Sequence, residues 1–204
     1  MTYQLPLFPL GSLLFPGGAL GLRVFEARYL DLMTACLKTA APFGVVFIEN
    51  GSEVKSNGSS APMLATMGCK AEIIACDMQE AGLMMVRARG LGRFAIETTQ
   101  TGPNGLRIGT VSDIEPDAAT ALPEQYKAVG QSLKQVIAAL HLQQGEVPFI
   151  APYALEDAGW VANRWCEILP IPPETKQKLM ALEQPLIRLE LVANFLKKRG
   201  LLNA

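Results

Sequence analysis

Three observations predict an α+β fold. Apolar runs of strand length, punctuated by glycine and proline, fill residues 1–117; one amphipathic helix interrupts them; and beyond residue 118 apolar residues recur at helical spacing. The expected architecture is a small, strongly bent β-barrel over residues 1–117 with one inserted helix, followed by a helical bundle over residues 118–204.

The chain opens extended, because Pro6 and Pro9 exclude a helix and Leu5, Pro6, Leu7 and Phe8 alternate between two faces. Pro16-Gly17-Gly18 then supplies a fixed φ followed by residues free to take positive φ, the chemistry of a tight turn. A short strand from Ala19 to Val24 is expected to pair beside the first. The period then changes: Phe25, Tyr29, Met33 and Cys36-Leu37 fall on one helical face, with Glu26, Arg28, Asp31 and Lys38 largely off it.

Pro42 to Ile48 is a continuous apolar run ended by Asn50-Gly51, the pattern of a buried strand. Gly51 to Pro62, rich in Ser, Gly and Asn, reads as an exposed loop. Leu64–Met78 and Leu83–Thr99 form a long hairpin joined at Gln79-Glu80-Ala81-Gly82, and Gly90 and Gly92 inside its second arm mark a bulge or bend. Gly102-Pro103-Asn104-Gly105 turns the chain into a last strand, Leu106–Ile114.

Strand character stops at Glu115–Thr120. Tyr126, Val129, Leu133, Val136-Ile137 and Leu140 stripe a helix from about Pro123 to Leu142, stopped by Gly145 and Pro148. Trp160-Val161, Trp165 and Ile168-Leu169 stripe a second, with Asp157 at its start. Pro173-Glu174 opens a third. Pro185 begins the last, with Leu186, Leu189, Ala193 and Leu196 as its stripe and Lys197-Lys198-Arg199-Gly200 as its end.

Composition excludes several functions. Half of the 204 residues are hydrophobic, enough for a substantial core. Eighteen basic residues face nineteen acidic ones, a net charge of −1 that argues against DNA or RNA binding by electrostatics. The first charge is Arg23, yet the prolines and glycines before it exclude a spanning helix and no basic n-region precedes them, so a cytoplasmic protein without membrane contact is expected. Cys36, Cys69, Cys76 and Cys166 are scattered in apolar surroundings, as reduced core thiols would be; alternation puts Cys69 and Cys76 on opposite faces of their strand.

Catalytic constellations are missing from the sequence. His141, the sole histidine, sits beside Leu140 near a helix end, so it serves neither a serine nor a cysteine nucleophile. There is no GxxxxGK[ST] phosphate loop, Gly90-Leu91-Gly92 leads into more strand, and Cys69 and Cys76 lack zinc spacing, so no cofactor or metal is expected. Arg87, Arg89 and Arg93 alternate along one strand and read as a solvated face balanced by Glu72 and Glu97, the alternative being a face for an anionic partner. Met63, Met67, Met78, Met84 and Met85 gather in the hairpin and its approach, where they either fill the core or offer an adaptable binding surface.

The LPLFPL opening, the LFPGG turn and the Phe25-Glu26-Ala27-Arg28-Tyr29 helix entry resemble the substrate-binding N-terminal domain of Lon proteases, and still more the stand-alone bacterial proteins made of that domain. Gly44-Val45-Val46, Gly68-Cys69-Lys70-Ala71-Glu72-Ile73 and Gly90-Leu91-Gly92-Arg93-Phe94 extend the resemblance along most of the chain. The resemblance implies a PUA-like pseudobarrel and a non-catalytic module that binds unfolded or exposed apolar protein segments, acting as an adaptor with a protease as a further partner. Full Lon proteases add ATPase and Ser-Lys peptidase modules, and the sequence carries the motif of neither. RNA binding, known in other PUA-like folds, is the alternative, and a peptidase ranks last. The candidate binding residues are Phe15 and Pro16 in the turn, Glu26, Arg28 and Tyr29 at the strand-to-helix junction, and Met84 and Met85 in the hairpin.

Overall fold

The computed structural model describes residues 1–51, 62–80, 82–142 and 148–202, which divide into two units, Met1–Glu115 and Pro116–Ala204. Most of the expected Gly51–Pro62 loop, Ala81 of the hairpin turn and the helix stop at Gly145 lie outside the described residues.

The first unit runs β1 (Thr2–Leu10), β2 (Ala19–Val24), α1 (Ala27–Thr39), β3 (Phe43–Asn50), β4 (Met63–Glu80), β5 (Leu83–Thr101) and β6 (Arg107–Asp113). Its sheet has the order β2-β5-β4-β3-β1-β6, and a further pairing of β5 with β6 closes five strands into a ring. β1 divides its length between neighbours. Thr2–Leu7 pairs antiparallel with β6 and Leu7–Leu10 pairs parallel with β3, so Pro6 and Pro9 each disturb one ladder only.

β2 does not lie beside β1, as the sequence suggested, but pairs antiparallel with β5, Ala19 opposite Arg89 through Val24 opposite Met84. The Phe15–Gly18 turn delivers it there. Gly17 (φ 74) supplies the left-handed residue, Gly18 N–H donates to Phe15 O at 3.0 Å, and two backbone bonds then fix the turn to β5. These are Gly17 N–H to Gly90 O at 2.8 Å and Gly90 N–H to Gly18 O at 3.0 Å. A Cβ on residue 90 would stand 2.2 Å from Phe15 O, so Gly90 is a close approach between backbones as well as a neighbour of a bulge.

Two apolar cores result. One takes Leu5 and Leu7 from β1, Val46 from β3, Ala65 from β4, Phe94 from β5 and Val111 from β6; a cluster fed by all five ring strands is the ring's interior. The other lies under α1, whose Tyr29, Leu32, Met33 and Cys36 meet Phe8, Leu22, Val24, Val45, Met84 and Val86. β5 serves both through its bulge. Cys69 faces Arg93 and Ala71 faces Gly90, so Leu91 and Gly92 together oppose Lys70 and the side-chain parity reverses.

That reversal overturns part of the arginine reading. Arg89 is exposed and paired with Glu72, but Arg93 is only 4% exposed, across from buried Cys69, and donates through Nη2 to Glu115 O at 3.3 Å. A second bulge, between Ile73 and Ala75, likewise puts Cys76 opposite Val86 and on the same face as Cys69. Cys76 is exposed rather than a core thiol.

α1 starts two residues later than the hydrophobic stripe suggests. Glu26 occupies the N-cap in an extended conformation, so Phe25 still follows strand alternation: Val24 points in and Phe25 points out, 59% exposed. Leu37 is also exposed, and the buried stripe is Tyr29, Leu32, Met33 and Cys36.

In the second unit a 3₁₀ turn at Glu124–Tyr126 runs into α2 (Lys127–Leu142), followed by α3 (Ala158–Ile168), α4 (Pro173–Ala181) and α5 (Pro185–Lys198). α3 touches α2, α4 and α5, which explains why it is buried around most of its circumference, Asn163 and Arg164 included, instead of along the expected stripe. Asp157 caps it, accepting Trp160 N–H at 2.7 Å through Oδ1 while Oδ2 accepts Thr120 N–H at 3.0 Å. On α5 Leu186 is exposed, and Arg188 and Val192 join Leu189, Ala193 and Leu196 in the interior. Arg188 is held by Asp117 Oδ2 (2.5 Å), Asn163 Oδ1 (2.9 Å) and the carbonyls of Leu179 (2.9 Å) and Leu182.

Candidate functional site

The end of β1, β2 from Leu20 onward and the entry to α1 line a cleft of about 350 Å³ in the first unit. Phe8, Pro9 and Leu10 form one wall, Leu20–Val24 the other, and Phe25, Glu26 and Tyr29 close the end toward the helix. Strand topology explains why space remains here. β6 leaves β1 at Leu7, where β3 remains its one partner, and β2 has β5 on one side only, so among the described residues neither strand has a ladder partner on its cleft side.

The junction is rigidly built. Glu26 Oε2 lies 2.7 Å from Arg28 Nη2, the Arg28 guanidinium sits 4.6 Å from the Tyr29 ring centroid, and its Nη1 donates to Gly105 O at 3.2 Å. Tyr29 stacks 4.2 Å from Phe8, centroid to centroid. Glu26 and Tyr29 therefore face the cleft while Arg28 neutralises and orients Glu26 beside it. Arg23, exposed on β2, makes no hydrogen bond or ion pair among the described residues.

The other sequence candidates lie elsewhere. Phe15 is fully buried, and Pro16 sits in the turn docked on Gly90. Met84 is 4% exposed in the core beneath Val24; Met85 is half-buried on the opposite face, across from Arg23. Met84→Ser should cost about 2–4 kcal/mol and Met85→Ser under about 1 kcal/mol, read by thermal and urea denaturation. Equal losses would contradict this facing. The residues the sequence reading missed are Arg23 and Phe25 as exposed cleft groups. The signal was available, since carrying strand alternation past Val24 turns Phe25 outward.

Most of the described lining is apolar. Its polar groups are an ion pair and a lone guanidinium, with Ser12 and no cysteine, histidine or lysine in the lining. Away from the cleft, burial pushes the Cys166 thiol up to about 12 and raises Cys36 as well. His141 Nε2 meets Tyr153 Oη at 2.8 Å on the surface of the second unit.

Comparison with known proteins identifies the family. The model of the ATP-dependent protease La (LON) substrate-binding domain matches residues 4–198. A solved Lon N-terminal domain protein from Xanthomonas campestris is 33% identical with a TM-score of 0.73, over 94% of this chain and 98% of that one. The N-terminal domain of the Mycobacterium avium complex Lon protease shares the fold at 16% identity and a TM-score of 0.60, over 94% and 97% of the two chains. No curated protein matches. With a mixed six-stranded sheet and five α-helices among the described residues and a family match over nearly its whole length, the chain belongs to the Lon substrate-binding domain family.

Proposed function

We propose that this protein is a non-catalytic module that binds extended, apolar segments of other proteins in the β1–β2–α1 cleft and serves as an adaptor that presents them to a protease in the cytoplasm. The observation that carries this reading is the cleft itself, an apolar trough beside a free strand edge with the Phe25 ring at its rim. Membership of a family described as a substrate-binding domain supports it. The closed ring capped by α1 is the arrangement we assign to the PUA-like class. RNA is disfavoured as ligand because Arg89 is engaged with Glu72 and Arg93 is buried.

An apolar trough and a backbone edge both tolerate sequence variation, so many clients would bind with affinities on the order of micromolar. Phe25→Ser should weaken binding of a permanently unfolded client, such as a reduced and alkylated protein, about fivefold to tenfold. Its melting temperature should barely move, because Phe25 contributes little to the core. Undiminished binding by this variant, measured by fluorescence anisotropy, would remove the cleft from consideration.

A further inference from the structure

The geometry points to a narrower client class: we propose that the cleft selects extended segments of alternating pattern apolar–acidic–apolar, added as a strand to the free edge of β2. The inference rests on the cleft being a peptide site and specifies which peptides it takes.

β2 has β5 on one side and the cleft along the other, so it offers backbone N–H and C=O groups to an incoming strand. Its side chains alternate strictly over the last four residues. Leu22 and Val24 are 5% and 1% exposed and point toward the α1 core, while Gly21 and Arg23 are exposed on the other face. A strand laid beside β2 inherits that alternation. The client residue opposite Arg23 shares its face, and the client residues before and after it point to the side of Leu22 and Val24, into the cleft walled by Phe8, Leu10 and Tyr29.

Charge decides the middle residue. Glu26 is paired with Arg28 at 2.7 Å, so among the described residues the one uncompensated charge lining the cleft is that of Arg23. Across the ladder its neighbour is uncharged Met85, with Asp77 opposite Met85 one strand farther away. A carboxylate on the client would sit directly across from Arg23, where opposite charges stabilise and a lysine would be repelled.

The test uses fluorescein-labelled decapeptides with a central Leu-Asp-Leu, Leu-Asn-Leu or Leu-Lys-Leu in a Gly-Ser context, titrated with the full chain and read by anisotropy. The Asp peptide should bind about fivefold to tenfold more tightly than the Lys peptide at low salt, with Asn between them and the difference shrinking at high salt. Arg23→Glu should reverse that order without lowering the melting temperature, since Arg23 is exposed. Two further Asp peptides, N-methylated at the Asp or at the following Leu, place the missing N–H on opposite sides of the strand. At least one should lose most of its binding, about tenfold. An order unchanged by Arg23→Glu, or full binding by both methylated peptides, overturns the inference. If Phe25→Ser still weakens the unfolded client in that case, the cleft remains the binding site and only the pattern is wrong. If neither variant changes anything, the reading of the cleft falls too.

Discussion

Arg188→Ala should remove about 3–5 kcal/mol of stability from the Pro116–Ala204 unit, enough to leave it largely unfolded near physiological temperature. Arg188 is 1% exposed, and its guanidinium gathers acceptors from three places at once: the Asp117 carboxylate before α2, Asn163 on α3, and the Leu179 and Leu182 carbonyls at the end of α4. Truncation strands those acceptors and leaves a cavity the size of a long side chain. Asp117→Ala should be nearly as damaging, because it leaves a buried cation without its counter-charge. Arg188→Lys should rescue little, since an ammonium cannot reach four acceptors with one planar fork. Far-UV circular dichroism during thermal melting checks all three. A shift of under about 2 °C for Arg188→Ala would mean the network contributes nothing.

The second large effect is expected at Gly90→Ala. The added methyl would stand 2.2 Å from Phe15 O, 3.1 Å from Phe15 C and 3.2 Å from Cys69 Sγ. Two of those atoms are backbone and cannot swing away, so the turn must lift off β5 and break the bonds that Gly17 and Gly18 make with Gly90. The loss should reach about 3 kcal/mol, the upper end of what overpacking costs. It should also free Phe15, now fully buried, and admit a protease at the turn. Gly92→Ala is the control two residues away, with nothing within 4 Å of its Cβ position, and should cost under about 1 kcal/mol. Similar losses for both glycines would show that β5 needs flexibility there rather than clearance.

These cases also mark where the sequence was legible. Every strand and helix of the first unit could be placed by period and punctuation, because alternation, proline and glycine act within a few residues of themselves. What could not be read was pairing and parity. Nothing local to Ala19–Val24 says that its neighbour is β5 rather than β1; that depends on backbone contacts between Phe15–Gly18 and a glycine more than seventy residues later. Arg93 looked like a continuation of Arg87 and Arg89 because a bulge adds one residue without altering the apparent alternation. The candidate site was half visible for the same reason. Glu26 and Tyr29 announced themselves through the helix entry, whereas the cleft they close exists only because β2 pairs with β5 and the β6 ladder ends at Leu7, leaving β1 with β3 as its one ladder partner beyond that point. Arg188 was hidden in plain view: on an amphipathic helix a cation is assigned to water until its four acceptors are seen.

The division of β1 between two neighbours carries a consequence for the order of events during synthesis. Thr2 is registered with Ser112 and Leu7 with Arg107, so the first strand made must wait for the last strand of the ring. At about 5–20 residues per second, that wait is on the order of 5–20 s on the ribosome. The β4–β5 hairpin, whose contacts are local, can form within microseconds of emerging. β1, with Leu5 and Leu7 destined for the interior, stays open along one edge throughout. Pro6, which lies in the stretch that waits for β6, would meanwhile discourage that edge from pairing with a stranger. A proline that looks like a flaw in a central strand would thus serve as a safeguard for a nascent chain.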